Sequence, residues 1–407
     1  MPKILRILNR FNLGGPTYNA AYLTKYLGSE YETLLVGGPN DPSEKNSQFI
    51  VNGLGVEPLI IPEMLREISP VSDYHAFRRI KQLIRDFQPD IVHTHASKAG
   101  ALGRHAAISM KVPVVVHTFH GHVFDAYFSQ WKTSFYKTIE RHLARKSNRI
   151  IAISENQKFD LTTRYQICQE DKVSVIPLGF DLGRFRENRE EKRLQFRQRY
   201  NIREDEIAIG IIGRLVPIKN HNMFLESLKI LQGLTHRKIR AFIVGDGESR
   251  ELIKDKAIDL GLDFVNGTEQ NRSAHLTFTS WITEMDMVNA GLDIVALTSL
   301  NEGTPVSLIE AQAAGTPIVT TRVGGIENVV VPDETALLVE KNNPVDFAHK
   351  LLLLAENDEM RQQFSLRGWS QVEKKFHFTR LVNDMDRLYR ELLEQSRSVT
   401  AGSSFAG

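Results

Sequence analysis

Two glutamates, Glu302 and Glu310, stand eight positions apart in NEGTPVSLIEAQAAG (residues 301–315), and every residue between them is uncharged. Thr304 is the expected helix cap and Pro305 the expected first helical residue. Glu302 then lies on the preceding loop and Glu310 inside the helix, about 10 Å away at the rise of an α-helix. The helix start between them offers unpaired N–H groups to an anion. Solvent exposure of both side chains is the plain alternative. Leu308, Ile309, Ala311, Ala313 and Ala314 argue for a largely buried helix, in which an unpartnered carboxylate is costly. A phosphate at Thr304, Pro305 and Val306, flanked by hydroxyl-bearing groups on the two carboxylates, describes a nucleotide diphosphate sugar laid lengthwise.

Other stretches carry compatible chemistry. GRLVPIK (213–219) places Arg214 and Lys219 five apart after a strand, where a planar fork and a point charge suit a diphosphate. Two ordinary surface cations are the competing reading. NLGGPTYNAAYL (12–23) opens a helix behind Gly14 and Gly15, which permit close backbone approach, although a Gly-Gly turn is common. HTFHGH (117–122) and VHTH (92–95) gather five histidines at strand ends. No cysteine or acid joins them at ligand spacing, so no metal site is expected, and His120 beside Gly121 is the better functional candidate. GDGE (245–248), with Gly245 and Asp246, and FTSWI (278–282), with Ile282, supply turns of the kind that hold a base. DMD (384–386) lies on a C-terminal helix and reads as a solvated face.

These residues need strand ends to hold them. Short β-branched runs alternate with amphipathic helical stretches, the pattern of a parallel sheet covered on both faces, and the pattern runs twice. The first series is KILRIL, TLLVGG, PLIIP, DIVHTH, VPVVVHTF, RIIAIS and VSVIPLG. The second is IAIGIIGR, AFIVGDG, LTFTSW, DIVALTS, TPIVTTR and ALLVE. The fold class is α/β, with two tandem doubly wound, Rossmann-like domains and a cleft expected between them at the carboxyl ends of the strands. The boundaries read as a domain at 1–185, a charged linker with a solvated helix at 186–206 and a second domain at 207–377. A helix at 378–395 is expected to pack back toward the first domain, ahead of a small, polar, disordered tail at 396–407.

Composition agrees with two cores. Hydrophobic residues make up 42% and charged residues 25% of 407, as in soluble globular chains. No run reaches the roughly 20 apolar residues of a membrane span. The N-terminus enters a strand without a signal peptide, and one cysteine, Cys168, excludes an internal disulfide. A cytoplasmic setting is the simplest expectation. Residues 1–180 hold 22 Lys and Arg against 16 Asp and Glu, while the remainder carries a net −4. That bias suits an anionic surface or phosphorylated substrate and is too weak for nucleic acid. Residues 127–146 mix aromatics with cations, so they suit either an anionic membrane surface or a core-facing helix with a basic outer side.

Assembled in chain order, the GG turn, HTFHG, IPLGFD, GRLVPIK, VGDGE and NEGTPVSLIEAQAAGTPIV followed by VGG resemble glycosyltransferase family 4, retaining enzymes of the GT-B fold. THASKAG (94–100) is similar to a segment of members that build bacterial surface polysaccharides. The resemblance implies hexosyl or N-acetylhexosaminyl transfer from a nucleotide diphosphate sugar, with UDP favoured, to a glycan or polyprenyl-diphosphate-linked acceptor. No metal or other cofactor is implied, and the setting would be the inner face of the membrane. Arg214 and Lys219 would neutralise the diphosphate, helped by the Gly15 N–H and the 304–306 amides. Glu302 would bind donor-sugar hydroxyls, Glu310 the ribose, and His120 the sugar near the reacting carbon. Asp246 and Ile282 would lie by the base, and Lys98 and Arg104 on the acceptor side. Same-face attack, with the departing phosphate taking the acceptor proton, would need no protein nucleophile, unlike a retaining glycosidase. The stretch 263–277 is longer and more polar than the family pattern, which leaves the register of Ile282 open.

Two other functions fit the same fold: a sugar-nucleotide epimerase and a non-catalytic nucleotide-sugar sensor. A nicotinamide oxidoreductase is disfavoured because no G-x-G-x-x-G follows a strand.

Overall fold

The computed structural model describes residues 1–11, 15–39, 48–65, 67–121, 130–267 and 274–403. The chain divides into two compact units, Met1–Phe180 with Phe376–Gly407, and Asp181–Lys375. Each is built on an all-parallel seven-stranded sheet.

In the first unit the strands are β1 (Lys3–Arg10), β2 (Glu32–Gly38), β3 (Leu59–Ile60), β4 (Ile91–His95), β5 (Val114–Thr118), β6 (Arg149–Ala152) and β7 (Val173–Val175). Their spatial order is β3-β2-β1-β4-β5-β6-β7. Side chains alternate across each strand. Leu5, Ile7, Val92 and Val115 pack on one face with Ile80, Ile84 and Ala106 of the helices Pro70–Phe87 and Ser97–Ser109. Ile4, Ile91, Val114 and Val116 pack on the other with Leu381, Met385, Leu388 and Leu392 of the last helix, Phe378–Ser403. That helix therefore belongs to the first unit and runs well past residue 395, through part of the segment expected to be a disordered tail. Its acidic DMD is only partly a solvated face. Met385 is buried, and Asp386 accepts a hydrogen bond from the Tyr31 hydroxyl at 2.8 Å.

The second unit contains β8 (Glu206–Ile212), β9 (Lys238–Val244), β10 (Phe264–Asn266), β11 (Leu276–Ser280), β12 (Ile294–Leu297), β13 (Ile318–Thr321) and β14 (Ala336–Val339), in the order β10-β11-β9-β8-β12-β13-β14. Ile209, Ile211, Phe224, Leu228, Ile243, Phe278, Val319 and Phe347 are buried in one cluster, and each large apolar side chain so buried stabilises the fold by roughly 1.5–3 kcal/mol. The segment 186–206, expected to be a linker, is part of this unit. Its helix Arg189–Arg199 buries Phe196 against Gly291, where any side chain would collide with the ring. Arg193 and Arg197 both pair with Asp293, at 2.7 and 3.2 Å. The dense charge hid the few apolar positions, Phe196, Tyr200 and Ile202, that anchor it.

Both sheets change winding direction beside their first strand. The chain builds outward from β1 on one side and then crosses to β4 on the other; likewise it leaves β8 for β9 and later crosses to β12. At such a point the loops after two adjacent strands separate and leave a crevice at the carboxyl ends.

Candidate functional site

The crevice in the second unit lies between the loops that follow β8 and β12. The first loop turns at Gly213, whose φ of 155° favours glycine, and runs to a short turn, Pro217–Lys219. The second loop is tied to it. The Thr298 hydroxyl donates to the carbonyls of Lys219 and Asn220 at 3.1 and 3.0 Å, and the Leu300 N–H donates to the Ile218 carbonyl at 2.8 Å. The ammonium of Lys219 thereby meets the Glu302 carboxylate, with Nζ to Oε1 at 2.5 Å. The Ser299 hydroxyl donates to the same oxygen at 2.6 Å. Glu302 Oε2 has no hydrogen-bond partner among the described residues, so one carboxylate oxygen is held and the other is available. Arg214 is exposed, and its guanidinium forms no ion pair with any described residue.

A third loop holds the second in place. Gly325 N–H donates to the Glu302 carbonyl at 2.8 Å. A Cβ on Gly325 would lie 1.8 Å from the Gly303 oxygen, and one on Gly324, at φ 51°, would lie 2.1 Å from the Glu302 oxygen. VGG at 323–325 is thus a packing surface for the Glu302 loop. In the sequence it is only a short motif, and neither its role nor that of Ser299 is visible there.

The helix Val306–Ala313 starts one residue later than expected. Pro305 is its cap, with its carbonyl accepting from Leu308 N–H at 3.1 Å, and Thr304 makes no capping hydrogen bond. Proline already fixes φ in the range a helix start needs, so the hydroxyl is not required. Glu310 projects from this helix toward Arg184, 3.8 Å away. Burial pushes its carboxyl up to about 7, opposed by Arg184 and reinforced by Asp286. Arg184 belongs to the GRF turn at 183–185, where the sequence shows only a domain break.

Gly245 (φ 139°) approaches the Gly213 backbone so closely that a Cβ would lie 1.9 Å from the Gly213 oxygen. The neighbouring Asp246 accepts from Ser280 Oγ at 2.7 Å and Gly247 N–H at 2.9 Å, with Arg250 at 3.4 Å. Burial raises its pKa, but these partners outweigh burial and keep it below the usual carboxylate range. Ile282 is buried after β11. The polar stretch before it contains the short edge strand β10, which the sequence does not signal, and residues 268–273 lie outside the described residues.

In the first unit, Gly15 begins the helix Gly15–Tyr26, while Gly14 and His122 lie outside the described residues. The remaining histidines sort by strand alternation. His117 bonds Thr94 Oγ1 at 2.8 Å on the face where Gly100 leaves room for its ring. His93 and His95 point to the opposite face. There His93 Nδ1 meets Tyr389 Oη at 2.6 Å and the fully buried Arg6 at 3.0 Å, while Nε2 meets Thr118 Oγ1 at 2.7 Å. His95 Nδ1 meets His120 Nε2 at 3.0 Å. Burial pushes His120 down to about 3 and holds His93, His95 and His117 well below the ordinary imidazole range. All four are neutral rings at pH 7. Among the described residues no group of His, Cys, Asp and Glu is arranged to hold a metal ion.

Two residues expected on the acceptor side are engaged elsewhere. Arg104 is completely buried and pairs with Glu140 at 2.6 Å. The same contact occupies the only acid of the basic segment 127–146. Lys98 spends its donors on Asp73 at 2.5 Å, on the Leu65 carbonyl at 2.9 Å and on the Glu67 carbonyl. Both side chains hold the helix Ser97–Ser109 within its unit. An isolated basic residue in a sequence does not disclose such partners.

Comparison with known proteins follows the same division. A glycosyltransferase family 4 model matches residues 13–184 and a glycosyl transferases group 1 model matches residues 192–369. The chain is 28% identical to the UDP-Gal:alpha-D-GlcNAc-diphosphoundecaprenol alpha-1,3-galactosyltransferase of Escherichia coli, over 83% of this chain and 84% of that protein. It is 25% identical to the capsular polysaccharide biosynthesis glycosyltransferase CapM of Staphylococcus aureus, over 83% and 86%. Its fold resembles HepE of Anabaena, solved in complex with UDP, with a TM-score of 0.78, 16% identity and coverage of 96% and 100%. A glycosyltransferase from Rickettsia africae aligns with a TM-score of 0.77, 19% identity and coverage of 96% and 98%.

Proposed function

The chain belongs to the glycosyltransferases of family 4, with the GT-B fold, and from that premise we propose that it moves a sugar, with retention and without a metal, from a UDP-sugar to a polyprenyl-diphosphate-linked or glycan acceptor in polysaccharide assembly. The observation that carries this reading is the Lys219–Glu302 pair at the crevice between β8 and β12, with the exposed Arg214, which has no ion pair among the described residues, on the same loop as Lys219. Two cations there would offset the charge that develops on the departing diphosphate, the task a divalent ion performs in other sugar-transfer enzymes. The available Glu302 oxygen would accept from a sugar hydroxyl. Glu310 would accept from the ribose, and the backbone around Gly245 and Ile282 would flank the base.

The acceptor class draws on the E. coli relative, whose name specifies a diphosphoundecaprenol acceptor and an alpha linkage. Retention from an alpha-linked donor gives such a linkage. An open groove of about 650 Å³ in the first unit, lined by Tyr74, Phe77, Leu102 and Leu143, supports a lipid-linked acceptor. Ile68, Val71 and Phe135 are also exposed in that unit. No helix among the described residues is long and apolar enough to cross a membrane, so this reading calls for docking on an anionic surface. Cosedimentation with anionic vesicles at low salt is expected, and its absence would remove the membrane from the account.

A thermal-shift panel of UDP, GDP, ADP and their sugars should single out the UDP-sugar by its larger stabilisation. Transfer that EDTA abolishes and Mg²⁺ restores would overturn metal independence. Isomerised donor formed without acceptor would point to an epimerase instead.

A further inference from the structure

A cavity of about 640 Å³ opens in the first unit between the last turns of the helix Gln130–Lys146 and the segment 162–172 that leads into β7. It lies where the chain enters β6 and β7, the amino end of the parallel strands, and so at the opposite end of the sheet from His95 and His120. Arg141, Arg145 and Lys172 line it, together with Thr163, Gln169 and one acid, Glu170. Glu170 is already paired with Lys158 at 2.8 Å.

The three cations meet only backbone carbonyls among the described residues. Arg141 donates from Nε to the Gln166 carbonyl and from Nη2 to the Tyr165 carbonyl, both at 2.9 Å. Lys172 donates to the carbonyls of Ser147 at 2.8 Å and Arg145 at 3.3 Å. Arg145 reaches the Arg141 carbonyl at 3.4 Å through Nε alone, which leaves both of its terminal nitrogens turned to other partners. Capping the helix is the competing account of these contacts. A helix C-terminus carries about half a negative charge, and three whole positive charges exceed it severalfold.

The matching place in the second unit shows what cations that serve the fold look like. A cavity of about 480 Å³, where the chain enters β8 and β9, is lined by Arg203, Arg237, Lys238 and Arg240. Each has a carboxylate: Arg203 and Lys238 meet Asp205 at 3.7 and 2.6 Å, Arg237 meets Asp358 at 3.8 Å, and Arg240 meets Glu206 at 3.8 Å. In the first unit that balance is missing. Like charges left unbalanced in a cavity repel one another and concentrate anions.

We propose that the cavity between Arg141, Arg145 and Lys172 binds a phosphate-bearing anion, the phosphate being carried by a small molecule in solution or by a lipid headgroup. Two planar forks and a point charge match the several oxygens of a phosphate, and Thr163 and Gln169 add neutral donors. Three positive charges offset a doubly charged ester or a diphosphate, whereas one carboxylate would leave two of them unbalanced. The proposal stands apart from the sugar-transfer reading, since none of the residues assigned to the donor lines this cavity.

Cys168 lines the cavity and is the only cysteine of the chain, so its alkylation reads occupancy there and nowhere else. Burial pushes its thiol up to about 11. Alkylation by iodoacetamide is therefore followed at about pH 9, where some thiolate forms, by mass spectrometry of the full chain. Inorganic pyrophosphate should slow it, relative to chloride at equal ionic strength. Arg145→Gln and Lys172→Gln should each raise the half-protecting concentration about tenfold, and Lys238→Gln, in the balanced cavity, should leave it unchanged. Protection by phosphatidylglycerol vesicles and none by pyrophosphate would assign the phosphate to a lipid; protection by pyrophosphate and none by vesicles would assign it to a soluble molecule. Failure of both to protect, equal protection by phosphatidylcholine vesicles or chloride, or undiminished protection in Arg145→Gln would overturn the proposal. Should Lys172→Gln fail to fold, the exposed Arg145 still decides it.

Discussion

Each of the two sheets brings a pair of loops together beside its first strand, yet the two fill that place with opposite chemistry. At β8 and β12 the loops carry charge: a lysine held by a glutamate, an arginine left exposed, and a second carboxylate beside Arg184. At the ends of β4 and β5 stand buried neutral imidazoles above an arginine that has no carboxylate partner among the described residues. The same winding rule serves both. Architecture fixes where a ligand can enter, and the side chains on two adjacent loops decide which ligand. The charged crevice of the second unit suits a diphosphate.

Substitutions can break that division. The largest effect is expected for Lys219→Met, which should lower kcat by about 10²- to 10³-fold with only a small fall in melting temperature, because one ion pair is lost while the Ser299 hydroxyl still donates to Glu302. Gly325→Ala comes next. Its new methyl group must displace the Glu302 loop by way of the Gly303 oxygen, and transfer should fall about tenfold or more while the β8 and β12 core stays folded by circular dichroism.

The pH responses of the two units differ in sign. For His93, His95, His117 and His120 the folded pKa lies below the unfolded value of about 6.5. The unfolded state therefore binds more protons as pH falls, and stability is lost progressively below about pH 6.5. Hydrogen exchange should show β4 and β5 losing protection on acidification. Glu310 behaves the other way. Its carboxyl, raised to about 7, stays protonated in the fold after the unfolded chain has ionised, so its contribution falls as pH rises from about 4.5 to 7. Ribose binding should prefer the ionised form, so donor KM should fall as pH rises through about 7. Glu310→Gln should abolish that dependence. The smallest effect is expected at Lys98, where Lys98→Met should cost about 1 kcal/mol of stability and leave donor KM unchanged.

Much of this could be read in the sequence. Thirteen of the fourteen strands lie within apolar runs bounded by turn residues, because buried parallel strands need such runs. The exception, β10, is three residues long on an edge, where little burial is required. Glu302, Glu310, Arg214 and Lys219 were legible because each is a charge beside an apolar strand or helix. What stayed hidden depends on distant partners. Arg104 and Lys98 look like free cations until Glu140 and Asp73 come close. The anchoring of 186–206 rests on Phe196 meeting a glycine nearly a hundred residues away, and VGG at 323–325 acts through backbone contact, to which no side-chain pattern points.

The central claim, that the nucleotide diphosphate is held by the charged loops of the second unit, is tested most directly by titrating UDP calorimetrically into the wild type, Lys219→Met and His120→Ala. Lys219→Met should weaken binding by about tenfold or more, as expected for a lost charge-assisted contact to phosphate, and His120→Ala should leave it within about twofold, since no phosphate contact is lost. Equal losses in the two variants, or wild-type affinity in Lys219→Met, would contradict the account.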